Sequence, residues 1–371
     1  MSGRFHHGAV ALLALATTTL AGTPLPPFSW DITPVYQMFG DVKHLLTDDE
    51  VGKIASTSKF HCIEKNHAFQ QLQAAEKGAE REIARIKSES PGSTCLFYLN
   101  SAYAYPFLTR TRMFGRGQIP EPQRSFLLGD PQTGQPARRG NVPFFDVLDP
   151  AFRTWWAEMA GAYVKETGAD GLFVDQMHGF AHLRPAQRKE VQAAQVELMR
   201  MAKKAIGPDK MLLLNNGAHI PALFEVGDAF MFEHYQAKQL EKEAIVADWA
   251  LMRCIAEAGK SSVWRIGVDV EIGEGVSMTD ERYEEFSKER LTYHLAVFLI
   301  GARPHSYFQY GWGWTLQNGP LVDYPELKKP LGKPLGEFVR PDPAAWTFTR
   351  SFEHADVKVD LEKKKVNIDW R

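Results

Sequence analysis

The chain has 371 residues, 44% of them hydrophobic and 24% charged, with 43 Lys and Arg against 45 Asp and Glu for a formal net charge of -2. That composition fits a globular protein with a large core and excludes a disordered chain. Because the basic residues are spread along the chain, they build no polyanion-binding face, and nucleic acid is not an expected partner.

The first 22 residues read as an export signal. Arg4, His6 and His7 form a short polar start, Ala9 to Ala16 an apolar run, and Thr19-Leu20-Ala21 approximates a small-residue cleavage site. The expected product is periplasmic or secreted. The apolar run is too short to hold a mature protein in a bilayer, so no stable membrane insertion is expected. The predicted organisation is a signal peptide at 1–22, a barrel at 23–336 and a C-terminal β extension at 337–371.

Eight runs rich in apolar and β-branched residues follow: Phe28 to Tyr36, Phe60 to Glu64, Thr94 to Leu99, Gly171 to Val174, Met211 to Asn215, Ala229 to Phe232, Ser262 to Gly267 and Pro304 to Phe308. Several are continuously apolar, as expected of parallel strands covered on both faces. Between them lie helical patterns at Gln70 to Ser88, Pro150 to Thr167, Pro185 to Ile206, Glu241 to Ala258 and Asp280 to Ile300. Asp149 before Pro150 is a start signal, and Gly207-Pro208 and Gly259 are stop signals. This alternation predicts an α/β fold, a (β/α)₈ TIM barrel. A doubly wound open sheet is the alternative, but the first strand lacks the Gly-x-Gly-x-x-Gly turn of a dinucleotide site.

The stretch from Gly115 to Pro143 reads as a long insertion at the barrel mouth, able to wall a cleft. Beyond the eighth strand the pattern alternates in Trp346 to Phe352, Val357 to Leu361 and Val366 to Trp370. These predict a short antiparallel extension packed on the barrel. The three cysteines, Cys62, Cys95 and Cys254, make no disulfide framework and read as free thiols. With no C-x-x-C or H-E-x-x-H spacing, no metal or other cofactor is implied.

A parallel barrel presents its chemistry at the C-terminal ends of its strands. Collecting those ends gives Tyr36, Glu64 with Lys65, Asn100, Asp175 with His178, Asn215, Glu233 with His234, Asp269, and the ring-rich run containing Tyr310, Trp312 and Trp314. Carboxylates, amides and rings together suit a carbohydrate. Carboxylates run glycosidic cleavage, amides bind hydroxyls, and rings cover the apolar faces of sugars. Asp175 is assigned as nucleophile and Glu233 as acid/base, with Asp269 and Glu64 as reserve acids. All of these except Asp175 and Glu233, the two reserve acids included, are assigned to substrate binding. The bland readings are a loop cap or ion pair for each carboxylate and a hydrophobic plug for the rings. Chelation of a metal by His178, His219 and His234 with Asp175 is a further alternative.

The motifs Cys95-Leu-Phe-Tyr-Leu-Asn100, Asp170-Gly-Leu-Phe-Val-Asp175-Gln, Asn215-Asn216-Gly217, Phe232-Glu233-His234-Tyr235 and Tyr307-Phe-Gln-Tyr310 resemble, in this order, a hypothetical glycosyl hydrolase 15-like family of the TIM-barrel glycosidase superfamily. Tyr324-Pro-Glu-Leu-Lys-Lys-Pro-Leu-Gly-Lys-Pro-Leu-Gly336 and Phe348-Thr-Arg-Ser-Phe-Glu-His354 extend the resemblance to the C-terminus. It implies a barrel acting on a poly- or oligosaccharide. The chain is also distantly similar to α-galactosidase-like barrels, which implies a nucleophile after strand four and an acid/base after strand six. A glutamate stands here where those barrels commonly carry an aspartate. Two other functions compete with a glycosidase: a noncatalytic carbohydrate-binding barrel, and a metal-assisted hydrolase or lyase.

Overall fold

The computed structural model describes residues 25–115, 119–130, 132–234, 240–268 and 279–371. The expected export signal at 1–22 and the reserve acid Asp269 lie outside the described residues.

Eight parallel strands form one sheet in sequence order: β1 (Gln37–Phe39), β2 (Phe60–Ile63), β3 (Thr94–Asn100), β4 (Gly171–Asp175), β5 (Met211–Asn215), β6 (Ala229–His234), β7 (Ser261–Gly267) and β8 (Ser306–Gly311). A parallel bridge between Val35 and Phe308 brings the two ends of the sheet together, with Tyr36 N–H donating to the Phe308 carbonyl at 3.0 Å. The result is a nearly closed (β/α)₈-like barrel.

Six long helices cover it: α1 (Asp48–Thr57), α2 (Ala75–Glu89), α3 (Pro150–Thr167), α4 (Arg188–Ile206), α5 (Lys242–Glu257) and α6 (Asp280–Gly301). The limits of α3 are those predicted. Asp149 accepts from Ala151 N–H at 2.8 Å, Pro150 starts the first turn, and Gly168 ends the helix in the left-handed conformation that glycine adopts without strain. The sequence reading missed α1, whose start is a reciprocal capping box between Thr47 and Glu50. Only one short turn, Pro221–Phe224, stands between β5 and β6. The helix expected from residue 70 divides into a turn at Phe69–Leu72 and α2, because Gln73 adopts a left-handed conformation between them.

The first strand corrects the prediction in a way that matters for the site. It runs through Phe39 and not to Tyr36, because pairing with β2 sets Gln37, Met38 and Phe39 opposite His61, Cys62 and Ile63. Tyr36 therefore lies inside the barrel, fully buried, its ring against Phe60 at 4.7 Å.

Along each strand alternate residues face the barrel interior and the helix layer. Tyr36, Met38, Phe60, Cys62, Leu96, Tyr98, Phe173, Met211, Leu213, Ala229, Met231, Val263 and Tyr307 pack together inside. Their neighbours Phe39, Ile63, Phe97, Leu172, Leu214, Phe232, Trp264 and Phe308 pack against the helices. Cys62 and Cys95 fall on opposite faces and, with Cys254, are free thiols. Two residues further along the interior register of each strand, the apolar floor gives way to Glu64, Asn100, Asp175, Asn215, Glu233, Arg265 and Gln309. Gly40 takes that register position on the first strand. A Cβ there would come within 2.8 Å of the Glu64 Cβ, so glycine leaves the room that Glu64 occupies.

The C-terminal residues form a three-stranded antiparallel sheet, β9 (Thr347–Ser351), β10 (Ala355–Asp360) and β11 (Lys365–Trp370), packed on α6. Buried Arg350 donates to the carbonyls of Leu299 and Ile300 at 3.0 and 3.1 Å and to that of Ala302. A cation thus meets the unsatisfied carbonyls at the end of α6 and ties the extension to the barrel. No helix of the described residues is long and apolar enough to cross a membrane.

Candidate active site

The polar ring at the top of the barrel is organised around one amide. Asn215, at the end of β5, donates through Nδ2 to Asp175 Oδ1 at 3.0 Å and to Glu233 Oε2 at 2.5 Å. Its neighbours β4 and β6 carry those two acids on the same face, so three adjacent strands bring carboxylate, amide and carboxylate into line.

Asp175 is held from every side. Tyr98 Oη donates to Oδ2 at 2.9 Å, Asn100 Nδ2 to the same oxygen at 3.3 Å, and the Gln176 N–H to Oδ1 at 2.7 Å. The donors are themselves fixed. Asn100 accepts from the N–H groups of Ala102 and Tyr103, and Trp156 on α3 donates to its carbonyl at 3.1 Å. Ser101 Oγ donates to the Asp175 carbonyl while Gln195 Nε2 on α4 donates to Ser101 Oγ, both at 2.8 Å. This second ring of bonds orients the carboxylate without touching its oxygens.

Glu233 is shaped by its burial. Burial pushes its carboxyl above the ordinary value of 4.5; the Asn215 hydrogen bond opposes this, the negative field of Asp175 adds to it, and the Arg265 and Lys65 cations oppose it. Its backbone is set by Asn216, whose side chain accepts from the Glu233 N–H at 3.0 Å from a left-handed conformation.

On the other side of Asp175, buried Glu64 pairs with Lys65, whose ammonium lies 5.1 Å from the Tyr98 ring centre. Burial raises the Glu64 carboxyl while Lys65 pulls it down, with a net rise. Burial lowers the Lys65 amine, but its pairing with Glu64 outweighs that and holds it above its ordinary value. Trp314 reaches the interior cluster, and the Arg265 guanidinium sits 4.5 Å from its ring centre.

The ring therefore gathers Glu64, Lys65, Asn100, Asp175, Asn215, Glu233 and Trp314 from the residues predicted. Others lie elsewhere. Tyr36 is two layers down in the floor. His234 faces away from Glu233, between the Trp264 ring at 4.7 Å and Asp248 on α5, its Nε2 3.1 Å from Asp248 Oδ2. Tyr310 points into the helix layer and donates to the Ser287 carbonyl at 2.9 Å. Trp312 stacks on Tyr283 at 5.8 Å, and His178 is exposed on the loop after β4. His219 Nε2 lies 3.4 Å from Asp248 Oδ1, so His219 and His234 face that carboxylate and not Asp175. Among the described residues no group of three or more His, Cys, Asp or Glu is arranged to hold a metal ion.

Tyr98 and Arg265 were missed by the sequence reading. The signal was present: each stands two residues along the inward face of its strand from an interior apolar residue, Leu96 for Tyr98 and Val263 for Arg265.

A family model described as hypothetical glycosyl hydrolase family 15 matches residues 87–356. No curated protein matches the chain. Among solved structures, an α-amylase from Geobacillus thermoleovorans complexed with acarbose aligns with a TM-score of 0.52 at 11% identity, over 89% of this chain and 86% of its own. A maltogenic α-amylase from Thermotoga neapolitana gives 0.50 at 12% identity, over 88% and 84%. The glycoside hydrolase domain of PelA from Pseudomonas aeruginosa gives 0.45 at 15%, over 79% and 96%. At these identities the likeness to the two amylases is one of fold.

Proposed function

The chain belongs to hypothetical glycosyl hydrolase family 15, and we propose that it cleaves O-glycosidic bonds of a poly- or oligosaccharide with Asp175 as nucleophile and Glu233 as acid/base. The observation that carries this reading is the Asn215 amide bonded to both acids. Two oxygens that share one nitrogen at these distances lie no farther apart than two hydrogen bonds laid end to end. That upper limit supports the about 5–5.5 Å of a retaining pair over the about 6.5–9.5 Å that leaves room for an inverting water.

The roles follow from the two environments. Asp175 is an acceptor in four hydrogen bonds that hold its oxygens in place, which suits in-line attack on the anomeric carbon. Glu233, whose carboxyl burial raises above its ordinary value, is the better suited of the two to give a proton to the leaving oxygen. When Asp175 becomes a glycosyl ester it loses its charge, and its share of the upward pull on Glu233 disappears. Having given its proton to the leaving oxygen, Glu233 is then favoured in its ionised form and is free to take a proton from the incoming water. One pair of groups thus serves both steps, with Trp314 offering a ring at the mouth for the sugar.

Purified protein is to be screened against labelled glycans beside Asp175→Asn and Glu233→Gln. Cleavage by the parent with retention of anomeric configuration, and loss of turnover in both variants, is the expected result. Turnover unchanged in either variant removes that residue from its role, and inverted product removes the double displacement.

A further inference from the structure

Outside the barrel wall, a cavity of about 230 Å³ lies between β7, α5, α6 and the turn that joins β10 to β11. Its lining is of two kinds. Trp264 and Ile266 from β7, Ile245 from α5 and Val297 from α6 are apolar. Arg290 and His294, one turn apart on α6, and Lys364 from the turn are basic, and no carboxylate lines the cavity among the described residues. These polar groups lack partners. His294 is only 5% exposed and makes no hydrogen bond with a described residue. Burial pushes its imidazole down to about 3, and the Arg290 and Lys364 cations push the same way, so the ring is neutral with one N–H to donate. The buried Nη1 of Arg290 also has no hydrogen-bond partner, and its ion pair with exposed Glu289 is long at 3.7 Å. Buried polar groups are nearly always hydrogen-bonded, so donors left open beside a cavity mark the place of an acceptor.

We propose that this cavity is a second binding site, for a small amphipathic carboxylate with an apolar body of about six to eight carbons. A dry cavity of about 150 Å³ takes benzene, so this one has room for a ring or short chain with its head group. The body covers the apolar wall. The head group accepts from His294 and Arg290, with Lys364 as a further cation, and a carboxylate has about four lone-pair sites for those donors. Its charge offsets the positive field that Arg290 and Lys364 set on His294. A sugar suits the cavity less well, since its hydroxyls would be buried against carbon without partners. An amine would bring a third cation to two, and an alcohol would leave both cations unanswered. The site stands apart from the two acids: Trp264 packs in the helix layer, while Arg265, next along β7, turns inward to Trp314.

Isothermal titration of the full chain with hexanoate and phenylacetate tests this. The comparators are 1-hexanol and hexylamine, which carry the same body under another head group, and acetate, which has the head group without the body. Both carboxylates are expected to bind, and each comparator to bind at least about tenfold more weakly. Val297→Trp, which fills the cavity, is expected to abolish binding. Arg290→Gln, at a partly exposed position less demanding on folding, is expected to weaken hexanoate about tenfold. Failure of both carboxylates to bind, a comparator binding as tightly as hexanoate, or unchanged hexanoate affinity in folded Arg290→Gln protein overturns the assignment. Glycan cleavage enters none of these measurements, so the site stands or falls independently of the hydrolase reading.

Discussion

The floor and the rim of the barrel are built on the same eight strands, one or two interior positions apart, and they follow opposite rules. In the floor, Tyr36, Phe60 and Tyr307 interlock ring to ring at 4.7 and 5.0 Å, and every neighbour is apolar or nearly so. At the rim, Glu64, Asp175 and Glu233 gather three carboxyls in one cup, where burial and the nearby Asp175 charge both raise the two glutamates. A fold optimised only for stability would continue the floor upward. The rim departs from it, as a site does when binding or chemistry sets the residues.

Substitutions sharpen that contrast. The largest expected effect is at the rim: Asp175→Asn or Glu233→Gln lowers kcat/KM by about 10⁴-fold, read on the cleaved glycan, with the thermal midpoint held or raised. A fall in activity matched by a fall in midpoint would make these acids structural. At the floor the pattern reverses. Phe60→Ala, which empties a fully buried ring site, costs about 3–5 kcal/mol in denaturant unfolding, and specific activity per folded molecule stays near that of the parent.

Asn215 stands between the two regimes. Asn215→Ala lowers kcat about 100-fold, as loss of a donor to reacting groups does. It also shifts the alkaline limb of the pH–rate profile upward. The sign follows from the Asn215 hydrogen bond, which favours ionised Glu233; without it Glu233 holds its proton to higher pH. An unmoved limb would reduce Asn215 to a packing residue.

The smallest effect is the most diagnostic of the contrast. Because the folded state raises Glu233 above 4.5, ionising it costs stability as pH climbs from that value through the folded one. Glu233→Gln is therefore expected to stabilise the protein at neutral pH, since it removes a carboxyl whose ionisation the folded state opposes. The gain should vanish below pH 4.5, where the parent is protonated in both states. Calorimetry at the two pH values decides it, and a loss of stability at neutral pH would place a compensating cation on Glu233.

Much of this architecture is legible in sequence, for reasons visible in particular elements. β5, Met211–Asn215, and α3, Pro150–Thr167, have the limits expected because apolar runs and capping residues act locally. The parity of a strand is equally local: Glu233 and His234 are adjacent, so they had to face opposite ways, and so did Gln309 and Tyr310. Listing residues at strand ends without that parity is what put His234 and Tyr310 in the mouth. Tyr36 was misplaced for another reason. The length of β1 is set by its pairing with β2, where Phe39 lies opposite Ile63, and no residue of the first strand announces it.

By itself, then, the sequence determined the strand and helix rhythm, the barrel class and the two strand ends that carry Asp175 and Glu233, all through periodicity and capping that act within a few residues. Tertiary structure alone decided the rest: that Asn215 bonds both acids, that Tyr98 reaches Asp175 across 77 positions of chain, and that Arg350 closes the end of α6. Those contacts join residues on different strands and loops. Closing the barrel sets their distances, and no local pattern encodes it.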